Sequence, residues 1–192
     1  MAGKQAKILS DKDVTALVRS TLKSRYAARD LAIVLLSVKA GLRASEISKL
    51  TWEMLLTPTG QIGRTIELRD IAAKKRHGRT IPIHKELHRS LERLKSLAPG
   101  SHGPVIESER GGSISPLGIV NWFADRYRKL GLQGCSSHSG RRTFVTKAAR
   151  LVHAAGGSLR DVQILAGHRS IQTTQRYIDG DSDAQRKLVS LI

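Results

Sequence analysis

Three short stretches of the sequence set residues able to grip a phosphate or move a proton beside apolar runs. The first is Gly41-Leu42-Arg43-Ala44-Ser45-Glu46, where a glycine ends one helical pattern and Arg43 enters the next. A guanidinium beside the positive end of a helix is repelled by it unless an anion visits both. Taken alone, Arg43 paired with Glu46 three residues on is the plainer reading, because such pairs are common on helices. The second stretch is His138-Ser139-Gly140-Arg141-Arg142, where an imidazole and a guanidinium share one face of a helix's first turn. A basic surface turn would look the same. The third runs Leu165-Ala166-Gly167-His168 and then Ile171 to Tyr177, with the tyrosine near the end of a short helix. A tyrosine there is more often a half-buried anchor than a nucleophile. Singly, each of these plainer readings is adequate; the three together, in this order, favour chemistry on a phosphate.

The elements that must position these residues are legible in the spacing. Ser10 and Asp13 form a capping pair ahead of Val14, Leu17, Val18 and Leu22, which predicts an amphipathic first helix. Residues 27–40 are more apolar and predict a buried central helix stopped by Gly41, with a short helix over 44–50 directly after it. Strand-like runs at 65–69, 71–73 and 79–83, with the basic turn KKRHG between the last two, predict a small antiparallel sheet. Helices are predicted over 85–97, with Leu87, Leu91 and Leu94 on one face, and over 116–130, opened by Ser115 and Pro116. Three more follow at 140–152, 158–166 and 171–177, and a last short one at 182–192. The Gly- and Ser-rich stretch 99–114 is the expected mobile loop. The fold class is therefore mainly α with a small antiparallel β-sheet (α+β). It is read as one domain over residues 9–192 behind a flexible basic lead-in at 1–8.

Charge narrows the partner. Lys and Arg number 33 against 16 Asp and Glu, a formal net charge of +17, with a pI near 10.8. Such an excess repels itself within a folded domain, and polyanions are the partners that make use of it. Aromatic residues are only 4% of the chain. Modules that stack unpaired bases on aromatic platforms need more, so duplex DNA held by its phosphates is favoured over RNA. The single cysteine, Cys135, excludes an intrachain disulfide and suits a reducing compartment. The longest apolar run, Leu31 to Leu36, is too short to span a bilayer, which takes about 20 residues. No apolar region follows the basic start as a secretory signal would require, so a cytoplasmic, nucleoid-associated protein is expected.

Four motifs in order resemble the catalytic domain of the tyrosine recombinase (phage integrase) family. They are GLRASEISKL at 41–50, the hairpin AKKRHGRTIPI at 73–83, HSGRRTFVT at 138–146 and LAGHRSIQTTQRYI at 165–178. The opening KILSDKDVTALV resembles the first helix of that domain, so the resemblance covers nearly the whole chain. It implies Tyr177 as nucleophile, Arg43 and Arg141 as the phosphate-clamping arginines, and His138 and His168 as the motif's two histidines. Lys74 matches the hairpin lysine, with Lys75 as its immediate neighbour, and Glu46 matches an acidic position that orients Arg43.

The implied chemistry suits these residue types. Tyr177 attacks a scissile phosphodiester to leave a 3′-phosphotyrosyl link and a free 5′-hydroxyl, storing the bond energy so that no ATP is needed for rejoining. Paired guanidiniums fit the charge gathering on the non-bridging oxygens. Lys74 protonates the departing oxygen, His138 assists proton removal from Tyr177, and His168 hydrogen-bonds the phosphate. No cofactor and no metal is expected, since arginines stabilise the charge and no Asp/Glu cluster suits a two-metal site. His84 and His88, four apart, lack a third zinc ligand and read as solvated helix residues. The resemblance further implies a homo-tetramer on synapsed double-stranded DNA. Relatives carry a helical DNA-binding domain ahead of the catalytic one, so the resemblance implies either a naturally short form or an excised domain, with an accessory DNA-binding protein as one candidate for the missing half of the clamp. A catalytically silent DNA-binding regulator and a type IB topoisomerase-like relaxer are the alternatives.

Overall fold

A computed structural model describes residues 5–69, 78–97, 100, 102–177 and 189–190. They fall into two compact units, residues 1–144 and 145–192. The N-terminal unit carries α1 (Asp11–Leu22), α2 (Ala27–Lys39), α3 (Ala44–Ser48) and a 3₁₀ turn at Trp52–Met54. Strands β1 (Thr65–Leu68) and β2 (Arg79–Pro82), α4 (Lys85–Ser96) and α5 (Pro116–Lys129) complete it. Helix α6 (Ser139–Leu151) begins in this unit and runs into the next, which adds α7 (Leu159–Ala166) and α8 (Ile171–Gln175). The mainly α fold with a small antiparallel sheet is as the spacing predicts.

The predicted start signals operate as hydrogen bonds. The Ser10 hydroxyl accepts from the Asp13 N–H while the Asp13 carboxylate accepts from the Ser10 N–H, which closes a capping box on α1. Those hydrogen bonds from Ser10 hold the Asp13 carboxyl below its ordinary range. Ser115 caps α5 through the Gly118 N–H, with Pro116 in the first turn where its missing N–H costs nothing.

Helix α2 is the core. Ala32 through Ser37 are buried on every side apart from traces of exposure, because α1 and α4 both pack on it. Each large apolar side chain so enclosed contributes about 1.5–3 kcal/mol. Helix α4 turns Leu87 and Leu91 into that core, while Leu94 stays half-exposed. The buried charge on α2, Asp30, is compensated: Arg29 and Arg126 both donate to it, as does the Ser24 hydroxyl.

Among the described residues the sheet has two strands, antiparallel, with Thr65 opposite Pro82 and Leu68 opposite Arg79. Ile66, Leu68 and Ile81 face inward at the two-residue period of a half-buried strand. The strand expected at 71–73 and the basic turn, with Lys74 and Lys75, lie outside the described residues. So does the helix expected at 182–192, apart from residues 189–190.

Three expectations are corrected. The described part of 99–114 is pinned, not a loose loop. Val105 and Ile106 are buried, the Val105 N–H bonds the Leu50 carbonyl, and Thr51 pairs with Pro104 as Glu107 does with Ser113. Its glycines serve tight turns between anchored points, so Gly and Ser content misrepresented its order. His84 and His88 are not merely solvated. His84 caps α4 by accepting from the Glu86 N–H, and His88 contacts Glu92 and the Ile62 carbonyl. Helix α8 ends at Gln175, with Tyr177 in the turn beyond it.

Candidate active site

The first cluster is built on the turn between α2 and α3. Gly41 takes φ of 64°, and the Leu42 N–H reaches back to the Leu36 carbonyl, which closes the end of α2. A side chain at Gly41 would also run into the Phe144 ring, so glycine is required twice over. This turn delivers Arg43 to the N-cap of α3, in extended conformation with ψ of 157°. The helical ion pair foreseen for Arg43 is present: Nη1 donates to Glu46 Oε1 at 2.8 Å, and the Arg43 N–H donates to Oε2 at 2.8 Å.

Glu46, however, is shared. Arg79 on β2 donates Nη1 to Oε1 at 2.8 Å and Nη2 to Oε2 at 3.0 Å, in a fork that matches the carboxylate. Burial alone would raise the Glu46 carboxyl; the Arg79 and Arg43 bonds and charges outweigh it and bring it down to about 2. Sequence reasoning missed Arg79 as a site residue. Its signal was a basic residue in a strand, two positions before the buried Ile81 and so on the same face, which has meaning only once the register is known.

Arg141, in the first turn of α6, is buried and donates Nη1 to the Gly41 carbonyl at 2.7 Å. Arg43 and Arg141 are therefore held by the same three-residue turn. His138 directly precedes α6 and is exposed; its carbonyl accepts from Arg142, and its N–H bonds the Ser136 hydroxyl. Gly140, which lowers helix propensity, is explained by packing. A Cβ there would collide with Ser37 and lie 3.1 Å from Val38 Cγ1, so the glycine lets α6 approach α2 closely.

The second cluster belongs to the C-terminal unit. Ser158 and Asp161 form a capping box on α7, and Gly167, at φ of 62°, ends the helix. His168 follows with only 9% exposure. Its Nδ1 lies 2.9 Å from Thr174 Oγ1, its carbonyl accepts from Gln163 Nε2 at 2.9 Å, and its ring stacks on Tyr177 with centroids 5.5 Å apart. The Thr174 contact and the ring stack hold the imidazole beside the half-exposed tyrosine, while the Gln163 bond holds the His168 backbone. Thr174 as the partner of His168 was not foreseen; a threonine three residues before the tyrosine carries no distinctive sequence signal. Lys74 and Lys75 cannot be placed among the described residues. Neither cluster includes a metal-ligating group of three, and no such group occurs among the described residues.

One unit holds Arg43 and Arg141 at a single turn, and the other, considered by itself, holds a stacked histidine–tyrosine pair. The chain belongs to the phage integrase family, whose model matches residues 7–183. It is 30% identical over 184 residues to the tyrosine recombinase XerC of Rhizobium meliloti (strain 1021), covering 92% of this chain and 54% of that protein. XerC of Bradyrhizobium diazoefficiens is 31% identical over 183 residues, covering 93% of this chain and 53% of the relative. The chain thus spans about half the length of the curated relatives it matches. In fold it is similar to the crystal structure of XerA recombinase, with TM-score 0.75, 23% identity, and coverage of 96% of this chain and 64% of that one. It is also similar to XerH site-specific recombinase bound to its difH substrate, with TM-score 0.71, 18% identity, and coverage of 99% and 55%.

Proposed function

We propose that this chain is the catalytic domain of a site-specific DNA recombinase that cuts and rejoins duplex DNA through a covalent bond to Tyr177. The observation that carries the reading is the anchoring of Arg43 and Arg141 to one turn, which presents two guanidiniums from a single rigid support. In the proposed step the Tyr177 oxygen attacks phosphorus, its proton passing to His138. The phosphorus–5′-oxygen bond breaks, and Lys74 supplies the proton that leaves with that oxygen. Arg43, Arg141 and His168 hold the non-bridging oxygens as charge gathers on them; losing one such donor costs about 2.7–4 kcal/mol in comparable sites. Religation is the reverse attack by a 5′-hydroxyl. The reaction is read as independent of ATP and of metal ions, with the arginines supplying the charge stabilisation. The fold resemblance to XerH on difH DNA and to lambda integrase on its core site supports double-stranded DNA as partner. A homo-tetramer on synapsed DNA, an accessory DNA-binding protein and a cytoplasmic, nucleoid-associated location belong to the same proposal.

The test is covalent capture. The protein is expressed in its host, cells are lysed in detergent, and protein-linked DNA is recovered and sequenced, with Tyr177→Phe in parallel. A Tyr177-dependent adduct at a recurring site is the expected result. Salt-sensitive DNA binding with no adduct would replace this reading by a catalytically silent regulator. Adducts without site preference, with relaxation of supercoils, would point to a topoisomerase-like relaxer.

A further inference from the structure

We infer that Arg79 is a positioning residue that, by holding Glu46, fixes the orientation of Arg43. The inference rests on the reading of Arg43 as an anion-gripping residue.

The Glu46 side chain is fully buried, and four hydrogen bonds converge on it, two from Arg79 and two from Arg43. A carboxylate has about four lone-pair sites, so this one is filled. Two guanidiniums share this one carboxylate. The Arg79 side chain is 5% exposed and the Arg43 side chain 23%, so of the two it is Arg43 that faces outward.

Arg79 stands opposite Leu68 in the strand register, so its backbone is fixed by the sheet. Its forked guanidinium sets the plane of the carboxylate, and that carboxylate accepts from both the Arg43 N–H and Arg43 Nη1. Orientation thus passes from strand to carboxylate to Arg43. A lysine at 79 would keep the charge without the fork.

The experiment uses inorganic sulfate as probe, titrated into the full chain labelled with ¹⁵N. Binding is followed at the Arg43 Nε–Hε signal, identified through Arg43→Gln, and at the amides of Gly41 and Ala44. Arg79→Gln is expected to weaken sulfate binding about tenfold or more, the loss typical of a charge-assisted contact. Arg79→Lys is expected to weaken it at least about threefold, and it decides the matter if Arg79→Gln does not fold. In a Glu46→Gln background the Arg79 substitutions should change affinity by no more than about twofold, because their route to Arg43 is gone. Unchanged sulfate affinity in Arg79→Lys would overturn the inference. So would an equal loss in both backgrounds, or absence of sulfate binding at Arg43 in the wild type. A residue that only supports the fold would lower the melting temperature without altering the Arg43 signal of the folded protein. Failure to capture a DNA adduct would count against the recombinase reading and leave the sulfate result standing.

Discussion

At the scale of single residues, the acid behaviour of Glu46 gives a measurable signature. Its carboxyl sits at about 2 in the folded chain against an ordinary 4.5. A depressed folded value means the stabilisation is fully present above about pH 4.5 and is lost as pH falls from there toward 2. The linkage is on the order of 3 kcal/mol. Urea unfolding across that range should show the loss, and Glu46→Gln should flatten it; an unchanged acid limb in the variant would refute the assignment. Thr174 offers a second case. Thr174→Val keeps the volume but removes the oxygen beside His168 Nδ1. Stability should fall by about 1 kcal/mol. The yield of Tyr177 adduct should fall much further, because the imbalance lies in the orientation of the ring. Equal small losses in both measurements would show that Thr174 only packs.

At the scale of elements, the meeting of α2 and α6 sets two effects against each other. Helix propensity favours Gly140→Ala by about 0.5–1 kcal/mol. The added methyl would collide with Ser37 and crowd Val38 on the buried face of α2. Overpacking of this kind costs about 1–3 kcal/mol, so packing should win and the variant should be less stable by roughly 1–2 kcal/mol. Chemical denaturation decides the sign, and a stabilised variant would mean that α6 can move away at little cost. The same comparison shows where reading the sequence ran out. The caps at Ser10 and Ser115 and the stops at Gly41 and Gly167 could be read locally, since each depends on residues within a few positions. Arg79 and Gly140 could not. Their roles depend on Glu46, 33 positions away, and on Ser37, in a helix distant in sequence. Residues 102–114 misled for a related reason, because Val105 and Ile106 are core through partners near Leu50.

At the scale of the whole molecule, the charge of +17 is the dominant property. If duplex DNA is the partner, affinity should fall steeply with salt. Neutralising six or more phosphates implies about a 10³-fold loss or more between about 50 and 200 mM salt. A slope near zero would remove the phosphate backbone as the main contact. No helix among the described residues is long and apolar enough to cross a membrane.

Composition and local pattern by themselves determined the mainly helical class, favoured a polyanion partner and singled out five candidate residues among those described: Arg43, His138, Arg141, His168 and Tyr177. These follow from charge counts and from turn signals that act over a few residues. Only the tertiary structure decided that Arg43 and Arg141 hang from one turn and that Arg79 shares Glu46. It alone paired His168 with Thr174 and Tyr177. The reason is physical. Burial, register and close approach arise when segments distant in the chain pack together, and no short window of sequence carries them.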